Sequence, residues 1–426
     1  MTKSERKFSL TSRIVLAMFL GIIIGTAIKY LFPTSEFVKL YITDGLFYIT
    51  GKIFIASLKM LVVPMVFISL VCGTCSLHDT TKLGRLGVKT LGLYLLTTAF
   101  AVTLALLFAV LVSPGEGCNL QAIESVSKET PALRDLLINI FPSNPIRAMT
   151  EGNMLQIIVF SILFGISIAL AGKPGERIAN IFNDLNQIIM KLVVILINLA
   201  PYGVFCLMAK MFSTFGFDTI RNLVTYFFLV LFVLILHCTL VYPLMLKLLA
   251  GLNPITFFKK MRPAMLFAFS TASSNATLPV TMETATRHLG VRNTIASFTL
   301  PLGATVNMDG TAIMQGVATV FIAQAYNIDL SFTQYLSVIL TATLASIGTA
   351  AVPGVGLIML AMVLQQVGLP VEGIALVIGV DRLLDMTRTA VNVSGDCAVS
   401  CIVAKSEGEF DQSVFDNPKA GQSEKE

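Results

Sequence analysis

Charge is what this chain has least of. Of its 426 residues, 13% are Asp, Glu, Lys or Arg, against 55% hydrophobic, and the mean hydropathy is +0.80. A soluble domain carries roughly twice that charged fraction, so the composition excludes one. Several apolar runs approach the roughly 20 residues needed to cross a hydrocarbon core of about 30 Å as helices. They include Ile14–Tyr30, Leu91–Val112, Leu155–Ala171 and Leu223–Leu246. None alternates, which excludes a membrane β-barrel. Histidine is scarce as well. His78, His237 and His288 lie outside every motif discussed below, and no nucleophile–base arrangement is found, which argues against an enzyme. Cys72 and Cys75 form a CxxC with no second pair to complete a zinc site. The other cysteines sit mostly in apolar runs, as small hydrophobes. The net charge of +5 is spread over loops with no basic stripe, which excludes nucleic acid as a partner. The expectation is an all-α polytopic membrane protein in a lipid bilayer.

Lys and Arg in short loops set the orientation. Lys3, Arg6, Lys7 and Arg13 hold the N-terminus in the cytoplasm. No small-residue cleavage site follows, so the first helix is expected to be retained. The segment "SLHDTTKLGRLGVK" after the second helix is basic too, as an even number of crossings requires. Lys259, Lys260 and Arg262 precede residues 263–286, and Arg287, His288 and Arg292 follow them. With both flanks cytoplasmic, that segment enters and returns as two half-length helices. From 330 to 371 there are 42 residues without charge, too few for two comfortable spans and interrupted near the middle, so a second re-entrant hairpin is expected. The polar loop Ser113–Thr150 falls outside. The tail after Lys405 is polar, cytoplasmic and expected to be disordered.

Beyond residue 262 small and hydroxyl side chains accumulate. "STASSNATLP" (270–279) and "SIGTAAVPG" (346–354) are Ser/Thr/Gly/Ala clusters that contain a proline. Irregular backbone at membrane depth persists only where it is buried in protein or lines a wet cavity. Each presumed hairpin precedes a helix with an Asn-x-x-Gly: "NMDGT" (307–311) and "NVSGD" (392–396). A hairpin plus a broken helix is thus expected twice in inverted orientation, the plan of secondary transporters.

The stretch "DRLLDMTRTAVNVSGD" (381–396) concentrates charge. As a helix it places Asp381, Asp385, Arg388, Thr389, Asn392 and Asp396 within an arc of roughly 100°, along about 22 Å of axis. Each charge at the bilayer centre costs at least about 2.5 kcal/mol, so the stripe faces a cavity, a partner helix, or ions and substrate. A structural Asp385–Arg388 pair is the plainer reading, but it leaves Asp381, Asp396 and the Asn307–Asp309 cluster unexplained. Three acids against one arginine point to cations as the missing partners. Around Asn307–Asp309, Pro301, Gly303 and Gly310 weaken helix continuity. Carbonyls freed there suit a hard cation such as Na⁺, and a buried hydrogen-bonded Asn–Asp pair is the alternative.

In that order the four motifs resemble the dicarboxylate/amino acid:cation symporter family, the bacterial and archaeal relatives of the neuronal glutamate transporters, over Lys7–Lys405. The resemblance implies eight transmembrane helices plus two re-entrant helical hairpins, arranged as inverted repeats in a homotrimer of elevator type. It also implies a multi-pass protein of the cell inner membrane with both termini cytoplasmic. A single transporter domain, 1–405, would divide into a scaffold (10–76 and 150–215) and a transport part (85–113 and 219–405), followed by a polar tail, 406–426. The hairpins would be 254–289 and 331–367. The function implied is sodium-coupled symport of L-aspartate or L-glutamate, with a proton-coupled glutamate/aspartate or C4-dicarboxylate symporter on the same fold as the alternative.

By resemblance, Arg388 grips the substrate's side-chain carboxylate and Asp385 accepts its ammonium. Asn392 and Ser274 hold the α-carboxylate, and Thr311 lies beside the distal carboxylate. Ser273, Val352, Gly356 and Thr389 belong to the same set. More than one Na⁺ per substrate is implied. Gly303, Asn307, Asn392 and Asp396 would hold one. Thr305, Ser346, Ile347 and Thr349 would hold a second. Tyr94, Thr97 and Thr98, with Asn307 and Asp309, would hold a third. Two departures stand out. An arginine that archaeal relatives carry on the first hairpin tip is Ala272 here, and one that eukaryotic relatives carry after the acid is Met386. Gln315 is neutral where eukaryotic relatives have a glutamate.

Overall fold

The computed structural model describes residues 10–75, 81–118, 138, 141–214, 218–347, 354–418 and 420. Among them the secondary structure is helical throughout, apart from one isolated bridge between Val291 and Phe410. Five apolar helical segments have the length and composition to cross a bilayer: Ser12–Leu31, Val38–Cys75, Arg85–Val112, Lys173–Ile197 and Arg221–Ala250. Large apolar side chains such as Phe19, Ile23, Phe100 and Leu107 point outward, where lipid and not water would meet them.

The helices pack in two groups. In the first, α1 (Leu10–Leu31) lies along α7 (Ala200–Thr214). A Cβ on Gly25 would stand 2.4 Å from the Ala209 carbonyl oxygen, so only glycine permits that approach. Helix α2 (Tyr48–Cys75, continuing a π-helical stretch Val38–Phe47) packs on α5 (Met154–Leu170), α6 (Lys173–Ile197) and α7. The short α4 (Pro145–Glu151) precedes α5 and is capped by Asn144. The second group contains α3 (Thr81–Val112), α8 (Asp218–Leu236), a π-helical turn His237–Val241, and α9 (Tyr242–Ala250). The two hairpins and the helices that follow them complete it. The groups meet where α1 and α7 touch the last long helix, and where Lys52 and Lys59 of α2 both pair with Glu372, at 3.1 and 3.3 Å.

Helix pairs lie at both positions where the resemblance implies hairpins. The first is α10 (Pro254–Thr271) and α11 (Ser274–Glu283), extended by a π-helical turn Thr284–His288. Its tip turns at Ala272 in the left-handed region (φ +49°), and the extended Ser273 caps α11 by accepting from the Ala276 N–H at 3.2 Å. The second is α14 (Phe332–Ser346), started by a Ser331/Gln334 capping box, and α15 (Val355–Gln366). Its tip, 348–353, lies outside the described residues, and with it Thr349 and Val352.

The two Asn-x-x-Gly helices differ, which corrects the expected repeat. Helix α12 (Asn293–Val306) ends at Asn307 (φ −88°, ψ 94°), and α13 (Asp309–Ala325) restarts after Met308. By contrast α16 (Ile374–Ser406) runs unbroken through Asn392–Asp396. No proline occurs between Pro370 and Pro418, and the hydroxyls of Thr389 and Ser394 bond back to the carbonyls of Asp385 and Ala390 within the helix, each at 2.8 Å.

The start of the tail is also ordered, contrary to expectation. Asp411 caps α17 (Gln412–Asp416), Phe415 is fully buried, and Lys260 donates to the carbonyls of His288, Val414 and Asn417 at 2.7–2.9 Å. Apolar anchoring by Phe415 outweighs the polar composition around it. Glu407 meets Arg85 at 2.5 Å and also Lys89, and these cations hold its carboxyl below the usual carboxylate range.

Candidate functional site

Helix α16 supplies a chain of alternating charges. Arg388 is 1% exposed. Its Nη1 donates to Asp381 Oδ1 at 2.7 Å, and its Nη2 donates to Asp385 Oδ1 at 2.8 Å. Asp385 Oδ2 in turn accepts from Arg382 Nη1 at 3.1 Å and from the Gly354 N–H, on the return arm of the second hairpin, at 3.4 Å. Arg388 Nε is buried and has no hydrogen-bond partner. Neighbouring elements press on this arginine. A Cβ on Gly310 would lie 2.8 Å from its carbonyl oxygen, and one on Gly356 would lie 3.3 Å from both terminal nitrogens. The structural Asp385–Arg388 pair therefore exists. The expected surplus of acids over this part of the stripe does not, because Arg382 supplies a second cation.

Two carboxylates without a lysine or arginine partner among the described residues lie beyond Arg388, Asp396 just over two turns along α16 and Asp309 at the start of α13. Asp396 Oδ1 accepts from Asn307 Nδ2 at 2.9 Å, and Asp309 accepts from Thr97 and Thr98 at 3.2 and 2.7 Å and from Tyr242 at 2.8 Å. Among the described residues neither acid pairs with a lysine or arginine. His237 Nε2 stands 3.2 Å from Asp309 Oδ2, both side chains fully buried. So one of the three histidines does join a motif, carried there by the π-helical turn. That irregularity leaves no mark in the sequence, and nothing in the motifs points to His237 or Tyr242.

The break between α12 and α13 is pinned to α16. Asn307 Nδ2 donates to the Asn392 carbonyl at 3.1 Å as well as to Asp396, and Asn392 Oδ1 accepts from the Gly310 N–H at 2.7 Å. Asn307 Oδ1 is buried without a partner. A Cβ on Gly303 would fall 2.5 Å from Tyr94 Oη and 2.6 Å from Asp396 Oδ1, so that glycine keeps the carboxylate close to the chain. The donor set around the break is oxygen: two carboxylates, an unpartnered amide oxygen, two threonine hydroxyls and main-chain carbonyls. Such a set fits a hard cation. No cluster of three or more His, Cys, Asp or Glu side chains suited to a metal ion occurs among the described residues.

Other expected site residues gather less completely. Ser274 and Thr311 are buried; Ser273 serves as a helix cap. Thr389 bonds back to Asp385. Thr305 turns its hydroxyl to the Leu302 carbonyl at 2.9 Å, and Ser346 turns its own to Thr343 at 2.7 Å. Thr349, the fourth member of that expected set, lies outside the described residues.

The profile of the sodium:dicarboxylate symporter family matches residues 10–406. The "Proton/sodium-glutamate symport protein" of Geobacillus stearothermophilus is 34% identical over 422 residues, covering 96% of this chain and 96% of its own. The "Proton/glutamate-aspartate symporter" of Escherichia coli (strain K12) is 34% identical over 419 residues, covering 95% and 94%. "Excitatory amino acid transporter 3" of Mus musculus is 34% identical over 447 residues, covering 92% and 84%.

Proposed function

The chain belongs to the sodium:dicarboxylate symporter family, and from that premise we propose that it carries L-aspartate or L-glutamate into the cell together with sodium, more than one ion per substrate. It is a transporter and not an enzyme. The observation that carries the substrate reading is the Asp385–Arg388 pair, buried and reached by both the broken helix and the second hairpin. An acidic amino acid presents the complement of that pair. Its ammonium meets Asp385, and its distal carboxylate meets the planar fork of Arg388. Asp381 keeps Arg388 in place while this exchange occurs, and Asn392 and Ser274 take the α-carboxylate.

Sodium is a co-substrate. Asp309 and Asp396, with Asn307, Gly303 and the Tyr94–Thr97–Thr98 turn, are the groups that would take it in two adjoining positions. Thr305, Ser346, Ile347 and Thr349 form a third when the second hairpin closes. Coupling follows from linkage: a cation that binds best where Asn307 and Asn392 are locked together raises substrate affinity by its differential affinity for that arrangement. The two packing groups support an elevator movement of the binding group against a trimeric scaffold. Eight spans with two hairpins, and both termini in the cytoplasm of an inner-membrane protein, complete the proposal.

Proton coupling on the same fold is the second reading. It is favoured by His237 against Asp309 and by the proton in the bacterial relatives' names. Uptake of labelled aspartate and glutamate into proteoliposomes separates the two. A sodium gradient without a pH gradient drives accumulation under the first reading, whereas only an inward proton gradient does so under the second.

A further inference from the structure

Arg382 has no place in the substrate and cation sets above, yet it pairs with the residue on which amino-acid recognition turns. Its guanidinium lies 3.1 Å from Asp385 Oδ2, with both side chains largely buried. It also lines a small cavity at the seam between the packing groups, with Ile14, Leu58, Ile197 and Val204 of the first group opposite. Asp381, Arg388, Asp385 and Arg382 thus form a four-membered chain with net charge zero and Arg388 and Asp385 at its centre.

Consider what substrate must do to that chain. The central bond, Arg388 Nη2 to Asp385 Oδ1, occupies the atoms that an acidic amino acid needs. Nη2 and the unpartnered Nε form one edge of the guanidinium fork, the edge that grips a carboxylate with two parallel bonds. Opening the central bond frees that edge for the distal carboxylate and Oδ1 for the ammonium. The outer members stay in place, Asp381 on Nη1 and Arg382 on Oδ2. Without Arg382, Oδ2 would keep only the long bond from Gly354. A buried carboxylate so poorly satisfied would take Arg388 with both oxygens and close the site on itself.

We propose that Arg382 is a positioning and affinity-determining residue for acidic amino acids: it draws Asp385 away from Arg388, leaving one oxygen for the substrate's ammonium and one edge of Arg388 for its carboxylate. This rests on the substrate reading above.

The test is calorimetric binding of L-aspartate and L-glutamate, in saturating sodium, to the full-length protein in lipid nanodiscs. Arg382→Ala and the bulk-preserving Arg382→Gln are expected to weaken binding about tenfold or more, as loss of a charged hydrogen bond does. Arg382→Lys should return to within about threefold of the unmodified protein. In an Asp385→Asn background, Arg382→Gln should add less than about twofold, because the two residues act as a unit. A purely structural role would instead weaken binding equally in both backgrounds, with no rescue by lysine, and would overturn the proposal. So would unchanged affinity in Arg382→Gln. If the unmodified protein binds neither amino acid, the substrate reading itself fails; binding that ignores Arg382 sinks only the present inference.

Discussion

The segments "NMDGT" and "NVSGD" share their asparagine and glycine at the same spacing, yet the backbone treats them oppositely. At the first the chain leaves the helix at Asn307 and resumes at Asp309; at the second it runs straight through α16. The unbroken helix is the frame and the broken one is fastened to it, by Asn307 to Asn392 and Asp396 and by Gly310 to Asn392. Function divides along the same line. The continuous helix carries the charge chain to which the proposal assigns the zwitterionic substrate, while the break gathers oxygens that pair with no lysine or arginine among the described residues. A symporter needs both surfaces within reach of one another, and these two bonded asparagines supply the junction.

Breaking the frame should cost most. Arg388→Ala leaves Asp381 without its cation and Asp385 with Arg382 alone, and removing one partner of such a buried pair costs about 3–5 kcal/mol. Binding of acidic amino acids should disappear by calorimetry, and a neutral amino acid should be the better ligand. Unchanged aspartate affinity would remove Arg388 from the site. Asp309→Asn touches only the broken side. It should lower apparent sodium affinity about tenfold or more, through loss of a buried charged acceptor, while aspartate affinity at saturating sodium shifts little. A fall in aspartate affinity that high sodium does not repair would mean that the sides are not separable. Pro301→Ala sharpens the comparison. With the break held by the asparagine bonds, sodium affinity should stay within about threefold, since a helix-interior proline costs only about 3 kcal/mol and the pins remain. Loss of sodium binding would make the proline, and not α16, the cause of the break.

The smallest effect concerns the frame's end. Glu407, held ionised by Arg85 and Lys89, has a lowered folded-state pKa. Its stabilisation is present above the ordinary carboxylate range and fades as pH falls through it. Glu407→Gln should flatten that part of the melting-temperature profile in acid and change little at neutral pH. An unaltered acid limb would show the pair to be energetically idle, as many exposed pairs are.

Much of this was legible in the sequence. The charge-free stretch 330–371 bounded the second helix pair within a few residues, the basic flanks of 263–286 missed the start of the first at Pro254, and helical periodicity placed Asp385, Arg388 and Asn392 on one face. Other features were hidden for identifiable reasons. Arg382 sits about 20° beyond the edge of the polar arc, and a helical wheel does not register how far an arginine reaches. His237 and Tyr242 arrive at Asp309 through a π-helical turn, whose register departs from the regular 100° advance. The continuity of α16 could not be inferred from Asn-x-x-Gly alone, because the break depends on what lies upstream and on the partner helix. Phe415 ordered a tail whose average composition read as disordered.

The most direct test of the central claim, that Asp309 and Asp396 await an alkali cation which then admits the substrate, is a pair of calorimetric titrations. L-aspartate and L-glutamate are added to the purified protein in sodium chloride and in choline chloride at equal ionic strength. Saturable binding in sodium that is lost in choline, and restored stepwise as sodium is added, is the expected result. Equal affinity in the two salts would contradict it.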